Sequence, residues 1–139
     1  MNKETAGTLP LCVLIATGGT IAMKVDPVLD APVPALSGEE LLATVQGLAK
    51  VARLEVNNLS NVPSDYMNPE RWVELQRVVS AAVLRADTVG ILVSHGTDTL
   101  EETAWFLDLT VATAKPIVLI GAQRSATRPS STSTARATC

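Results

Sequence analysis

The sequence predicts an α/β fold, a Rossmann-like (flavodoxin-like) parallel sheet with flanking helices. Two observations lead to this prediction. Four short runs rich in Val, Ile and Leu, at residues 11–16, 54–59, 89–94 and 117–120, are typical of strands buried on both faces of a sheet. Amphipathic stretches with helical spacing alternate with these runs, which is the pattern of βα units. The 139 residues, of which 47% are hydrophobic and 18% charged, suffice for one domain with a core.

Each predicted helix begins at a polar residue that can accept hydrogen bonds from the free amides of a first turn. These residues are Ser37, Asn68, which precedes Pro69, and Thr99, which has Glu102 at the spacing of a capping box. The apolar faces that follow at helical spacing are Leu41, Leu42, Val45 and Leu48; Trp72, Leu75, Val79, Ala82 and Val83; and Leu100, Ala104, Leu107 and Val111. Both tryptophans, Trp72 and Trp105, are predicted to pack in or near the core.

Residues 23–36 break this alternation. They contain Pro27, Pro32 and Pro34 and show no clear helical or strand period, so they are predicted to form a loop. A loop of this length inside a compact domain is often a lid over a functional site. The alternative is a passive excursion over the surface.

Charge and hydropathy exclude two classes of partner. A net charge of −3 and few aromatic residues argue against nucleic acid. No apolar run approaches the roughly 20 residues of a membrane span. Residues 9–16 have the length of a signal-peptide core, but no clear basic segment precedes them and the polar, glycine-rich residues 17–20 follow. We therefore predict a buried strand there and a cytoplasmic protein that acts on a small molecule.

Cysteine and histidine are too scarce for the commonest metal and triad chemistry. Cys12 and Cys139 make no metal-binding spacing and no disulfide framework, and Cys12 is predicted to be a small core residue. His95 is the only histidine, so neither a histidine-based zinc site nor a Ser-His-Asp triad can be assembled. We expect no metal and no cofactor, and His95 itself is predicted to be a hydrogen-bonded structural residue.

Polar segments follow the four predicted strands, at residues 17–20, 64–68, 95–98 and 121–124. Ligands of open α/β sheets bind at the carboxyl ends of strands, so these segments should converge on one cleft. The first, Thr-Gly-Gly-Thr, is neither a dinucleotide fingerprint nor a phosphate loop. Its glycines permit backbone N–H groups to approach a bound oxygen closely, as an oxyanion hole requires.

The segment Val-Ser-His-Gly-Thr-Asp-Thr-Leu-Glu-Glu-Thr at residues 93–103 is more specific. Together with residues 17–22 it resembles the two signature segments of the bacterial-type L-asparaginases, which hydrolyse asparagine to aspartate and ammonia. Residues 64–68, with Met67, resemble the substrate-holding segment between them. The resemblance runs from about residue 11 to about residue 131. It implies L-asparagine, or L-glutamine, as the substrate and a homo-oligomer, usually a tetramer or dimer.

The resemblance also implies roles for individual residues. Thr20 matches the nucleophile, which forms an acyl-enzyme. Thr97 matches a second catalytic threonine in a threonine, lysine and aspartate relay, and Asp98 matches its aspartate, which also holds the substrate amine. Ser64 matches the donor to the substrate α-carboxylate, with Asp65 beside it at the amine. The substrate-binding set implied is Gly19, Ser64, Asp65, Gly96, Thr97, Asp98 and Ala122. The alternative for residues 97–99 is a helix cap alone.

Three features depart from the family pattern. Residues 23–36 contain no tyrosine to activate Thr20, and Tyr66, the only tyrosine, lies in another segment. Nothing after Arg124 matches the relay lysine, and a second domain is missing. The tail at residues 132–139 lacks an apolar period, and shifting its codons by one base allows the family's Asp-Gly-Pro-Arg-Asn-Leu. We therefore predict an asparaginase amino-terminal domain at residues 1–131 and a frameshifted tail at residues 132–139, a divergent tail being the alternative.

Two other functions stay open beside an incomplete asparaginase. The amidase subunit of a tRNA-dependent amidotransferase shares both threonine motifs, but the chain has no basic surface and no extra amino-terminal domain. A non-catalytic fragment that binds an acidic amino acid at Ser64 and Asp98 is the third. Ammonia release from asparagine separates the first from the third.

Overall fold

The computed structural model describes residues 9–124 and has an α/β architecture. Its elements in chain order are β1 (Leu11–Gly18), β2 (Met23–Asp26), β3 (Ala31–Pro34), α1 (Gly38–Ala43), β4 (Arg53–Val62), α2 (Pro69–Leu84), β5 (Thr88–Ser94), α3 (Leu100–Thr110) and β6 (Ile117–Ile120). Four strands form a parallel sheet in the order β4-β1-β5-β6, which confirms the predicted fold class. Counted along the chain this is the order 2-1-3-4, so the connection reverses between β1 and β5, where such folds bind ligands.

The core lies between one face of the sheet and the helices α2 and α3. Side chains from β1 and β5 meet the inner faces of both helices there. Its buried members are Val13, Ile15, Leu75, Val79, Ala82, Val83, Ile91, Val93, Leu107 and Val111. Asn68 begins α2 as predicted, since its side chain accepts a hydrogen bond from the Arg71 amide and Pro69 occupies the first turn. This core fixes the carboxyl ends of β1 and β5 beside each other.

Helix α1 is shorter than its apolar spacing predicts. Ser37 forms a reciprocal capping box with Glu40, as its position suggests. The helix ends at Ala43, and Gly47, four residues further on, adopts a left-handed conformation with φ of 79° that leads into the next turn. Val45 is 51% exposed and Leu48 lies in a separate 3-10 turn. The apolar period therefore continues past the point where the backbone leaves the helix.

Residues 23–36 are not the irregular loop that their prolines predict. Strands β2 and β3 pair antiparallel as a hairpin, with Met23 opposite Pro34 and Val25 opposite Pro32. An isolated two-stranded ribbon has two free edges, so alternate residues need no amide donor and proline is tolerated. The Asp26 carboxylate accepts hydrogen bonds from the amides of residues 28 and 29 and holds the turn. Whether this hairpin acts as a lid stays a prediction.

The prediction for Trp105 is wrong, and that for Cys12 holds only partly. Trp105 is 65% exposed, because it lies two residues, or about 200° of helical rotation, from Leu107, which faces the sheet. Trp72 is half-buried and stacks on Phe106 at a ring distance of 5.9 Å. Cys12 is a free, half-buried thiol in β1. Within residues 9–124 no helix is long and apolar enough to span a membrane.

Candidate active site

The turn after β1 is built on two glycines in the left-handed region. Gly18 has φ of 106° and Gly19 has φ of 81°, and the short 3-10 turn Thr20–Ala22 follows. The Gly19 amide donates to the Val62 carbonyl at 3.0 Å. A side chain on Gly18 would collide with the backbone of residues 61 and 62. The glycines therefore let the turn lie against the end of β4, and the Gly19 N–H is already engaged.

The second motif, residues 95–98 after β5, packs directly on this turn. A methyl group on Gly19 would overlap the backbone of Gly96, and a methyl group on Gly96 would overlap the Ser64 side chain. The fourth segment lies on the other side of the motif, where a methyl group on Gly121 would sit 3.2 Å from Cγ2 of Thr97. The four polar segments predicted from the sequence thus come together at the carboxyl ends of their strands.

Ser64 and Asp98 form a reciprocal pair. The Ser64 hydroxyl donates to Oδ2 of Asp98 at 3.2 Å and accepts from the Asp98 amide at 3.1 Å. The Thr99 hydroxyl donates to the Ser64 carbonyl at 2.8 Å. Ser64 is 3% exposed, whereas the Asp98 side chain is exposed. The buried serine is therefore fixed while the carboxylate remains open to a ligand.

Five of the predicted residues line one small recess, of about 30 Å³, together with Met23 and Pro63. They are Gly19, Thr20, Ser64, Gly96 and Asp98. Thr97 and Ala122 are half-buried outside its lining, and Asp65 is exposed beside it. This volume holds about one or two water molecules, less than a whole amino acid. Within residues 9–124, the recess accordingly accommodates only part of a substrate.

The buried His95 side chain links the second motif to helix α3 through hydrogen bonds. Its Nδ1 lies 2.7 Å from the Gly96 carbonyl, which can only accept, so Nδ1 carries the proton. Nε2 then accepts from the Thr103 hydroxyl at 3.0 Å, and Thr103 accepts from the Trp72 indole N–H at 2.8 Å. Burial lowers the pKa of His95, and the bond to Gly96 opposes this. The ring is thus a neutral structural group whose nitrogens are both paired.

The sequence pattern does not single out Thr103 or Met23, and it assigns Trp72 only to packing. Thr103 lies one turn after Thr99 on the helix, where a buried hydroxyl must find a partner. That requirement is the signal that could have found it. Among residues 9–124 no cluster of three His, Cys, Asp or Glu side chains could hold a metal ion.

Two larger clefts lie away from these residues. One, of about 540 Å³, lies beside α1 and is lined by residues such as Gly18, Ser37 and Ser94. The other, of about 580 Å³, lies between α3 and β6 beside Trp105. Neither contains Thr20, Ser64, Thr97 or Asp98 in its lining. The predicted site residues therefore lie outside these two larger clefts of residues 9–124.

Comparison with known proteins identifies the family. The model of the asparaginase amino-terminal domain matches residues 12–136. The chain belongs to the asparaginase family. The predicted resemblance is thereby confirmed, and the match covers every segment of the candidate site.

The chain is similar to two kinds of relative. It is 42% identical to a glutamyl-tRNA(Gln) amidotransferase subunit of Archaeoglobus fulgidus, covering 88% of this chain and 29% of that protein. It is 39% identical to a probable periplasmic L-asparaginase of Haemophilus influenzae, covering 94% and 37%. The crystal structure of a probable cytoplasmic L-asparaginase from Campylobacter jejuni matches with a TM-score of 0.76 and 31% identity over 87% of this chain and 35% of that one. The chain thus spans about a third of the length of these relatives.

Proposed function

We propose that this domain carries the nucleophile and the amino-acid-binding side of an asparaginase-type amidohydrolase site. The observation that carries the proposal is the convergence of Thr20, Ser64 and Asp98 on one recess at the point where strand order reverses. The site would accept L-asparagine or L-glutamine. It would release ammonia.

The proposed reaction has two steps. The Thr20 hydroxyl oxygen attacks the carbon of the side-chain amide, and its proton passes to the amide nitrogen, which leaves as ammonia. Water then attacks the resulting ester, releases the dicarboxylic amino acid and returns the proton to Thr20. Thr97 and Asp98 would form part of the proton relay. A threonine hydroxyl is a weak nucleophile at neutral pH, so it needs such help.

Substrate binding would replace the hydrogen bonds of the Ser64–Asp98 pair. In the free protein the Ser64 hydroxyl donates to the Asp98 carboxylate. An α-ammonium group can take over that acceptor, and the hydroxyl can then turn its proton toward the α-carboxylate. The Asp98 amide, which donates to Ser64 Oγ, would keep the oxygen in place during this exchange. Asp65, exposed beside the recess, would add a second contact to the ammonium.

A second candidate is the amidase subunit of a tRNA-dependent amidotransferase. The relatives named as subunits of glutamyl-tRNA(Gln) amidotransferase, at 42% identity, favour it as much as the asparaginases favour the first. Both candidates use the same amide chemistry. They differ in what consumes the ammonia, and a strong dependence of amide hydrolysis on tRNA and a partner protein would support the second.

Binding and turnover test the proposal separately. Titration of the chain with L-aspartate should shift the backbone amide signals of Ser64 and Asp98 in a saturable way. Ammonia release from L-asparagine should be weak in this chain. It should be stronger by roughly two to four powers of ten, the scale of general-base help, in a protein translated in the alternative reading frame after residue 131. Thr20→Ala and Thr97→Ala should abolish most of that turnover. Equal turnover in all four proteins would refute the proposed roles.

A further inference from the structure

Thr99 occupies the N-cap position of α3 but does not cap the helix. Threonine at this position normally accepts a hydrogen bond from an amide of the first turn, and that bond stabilises the helix. In this structure the Thr99 side chain makes no such bond, and the capping box that Glu102 would complete is not formed. By contrast, Ser37 and Asn68 both cap their helices with side-chain oxygens. The Thr99 hydroxyl therefore serves something other than its own helix.

Its partner is the carbonyl of Ser64, 35 residues earlier in the chain, at 2.8 Å. The same carbonyl also accepts from the Met67 amide at 3.0 Å, which closes the short turn Ser64–Tyr66. The Asp98 amide donates to the hydroxyl of Ser64. Two consecutive residues at the start of α3 thus hold the backbone oxygen and the side-chain oxygen of one serine.

The start of α3, which carries Thr99, is anchored by buried hydrogen bonds. Thr103, one turn further along α3, is fully buried and bonds to both His95 and Trp72. The first turn of α3 is thereby fixed to β5 and to α2 before it contacts the Ser64 segment. A hydrogen bond from a helix end that is anchored in this way constrains the position of its acceptor more than a hydrogen bond from a freely rotating surface side chain does.

We infer that Thr99 is a positioning residue that sets Ser64 at the carboxylate-binding side of the site, an inference that rests on the proposed function. In this role its hydroxyl contacts Ser64 and not the substrate. It holds the Ser64 backbone, so that the Ser64 hydroxyl meets Asp98 in the free protein and an α-carboxylate in the complex. The inference concerns the binding of the α-carboxylate and leaves attack by Thr20 unaffected.

Amide hydrogen exchange tests the positioning without any ligand. In Thr99→Val the amides of Asp98 and Met67, which both bond to Ser64, should exchange roughly two- to tenfold faster, the range for one neutral hydrogen bond. Thr99→Ser keeps the hydroxyl and should restore slow exchange. Thr110→Val is the matched control, since the Thr110 hydroxyl bonds only to the Phe106 carbonyl of the same helix. If Thr99→Val does not fold, Thr99→Ala takes its place.

Ligand binding then tests the link to the carboxylate. Affinity for L-aspartate should fall roughly two- to tenfold in Thr99→Val and stay unchanged in Thr99→Ser and Thr110→Val. Affinity for 3-aminopropanamide, which lacks the α-carboxylate, should be the same in all of them. Unchanged exchange at Asp98 and Met67 would overturn the positioning role, as would an equal loss of affinity for both ligands. Faster exchange in a protein whose wild type binds no L-aspartate would instead overturn the proposed function and, with it, the assignment to the carboxylate.

Discussion

Replacing Gly19 by alanine should destabilise the domain more than the same change at Gly47. Both glycines have positive φ, 81° and 79°, but ψ is −178° at Gly19 and −2° at Gly47. Alanine costs about 1–2 kcal/mol in the left-handed helical conformation of Gly47 and about 1–3 kcal/mol in the conformation of Gly19, which is essentially restricted to glycine. The added methyl group at Gly47 meets nothing within 4 Å, whereas at Gly19 it overlaps the backbone of Gly96. Backbone strain and steric overlap therefore both make Gly19→Ala the more costly change.

Overpacking by such an overlap costs about 1–3 kcal/mol, so Gly19→Ala should lose about 2–6 kcal/mol and Gly47→Ala about 1–2 kcal/mol. Urea unfolding followed by far-UV circular dichroism would measure both, since a slope of about 1–3 kcal/mol/M turns such losses into clear midpoint shifts. Equal losses in the two variants would refute the close packing of Gly19 on Gly96 and, with it, the convergence of the two motifs.

Three further results are expected. The free energy of unfolding should fall as the pH decreases below about 6.5, because burial lowers the pKa of His95 and the unfolded chain then binds a proton that the folded chain does not. Leu107→Ala should lower the free energy of unfolding by about 2–5 kcal/mol, because Leu107 is 1% exposed in the core. Trp105→Lys should change it by no more than about 0.5 kcal/mol, because Trp105 is 65% exposed, and should reduce self-association. Lys115→Met should destabilise the end of α2, because the Lys115 ammonium donates to the carbonyls of Val83 and Arg85 there.

Each of these results has an outcome that would contradict it. His95 is the only histidine, so a stability that stays constant between pH 7 and pH 5 would exclude a depressed histidine pKa. A large loss in Trp105→Lys would show that this side chain is buried. For Lys115, a variant as stable as the wild type by urea unfolding would mean that water replaces the ammonium at both carbonyls without cost.

The strands and the start of α2 could be predicted because their signals are local. The four apolar runs mark four strands to within a few residues. Burial on both faces, which they also predict, holds for the central strands β1 and β5 but is wrong for β4 and β6, because these lie at the edges of the sheet and contain no buried residue. Asn68 and Pro69 each satisfy a requirement of a first helical turn by themselves. In such places the same local requirement determines both the residue type and the backbone geometry.

The hairpin could not be predicted because its environment is not local, whereas the exposure of Trp105 could have been read from the helical spacing. Proline opposes a central strand, and only the fact that β2 and β3 form a separate two-stranded ribbon makes residues 32 and 34 acceptable. Trp105 lies off the apolar face made by Leu100, Ala104, Leu107 and Val111, so its angle on the helix already predicts an exposed side chain. Thr99 illustrates the same limit as the hairpin, since its capping pattern is present in the sequence and its hydroxyl bonds to Ser64.

The candidate site shows how far a motif predicts geometry. That residues 17–20 and 95–98 meet is predictable because each segment follows a strand, and this needs only the topology of the sheet. The partners within the site needed coordinates, because the hydroxyls of Ser64 and Thr99 each have several acceptors within reach of their sequence positions. The glycine pattern predicts amides exposed to an oxyanion, but the Gly19 amide is bonded to Val62.

That bond changes where an oxyanion could be stabilised. An oxyanion hole needs amide donors that are free before the reaction, since breaking a hydrogen bond in the transition state would cancel the gain. The Gly19 amide is held at 3.0 Å by a strand carbonyl, and the carbonyl of Gly19 accepts from the Ala22 amide at 2.9 Å. Both polar groups of this residue are thus committed to the fold. In the proposed mechanism its contribution would be to bring Thr20 within reach of the Gly96 segment, and a search for oxyanion donors should begin with the amides of residues 20 and 97.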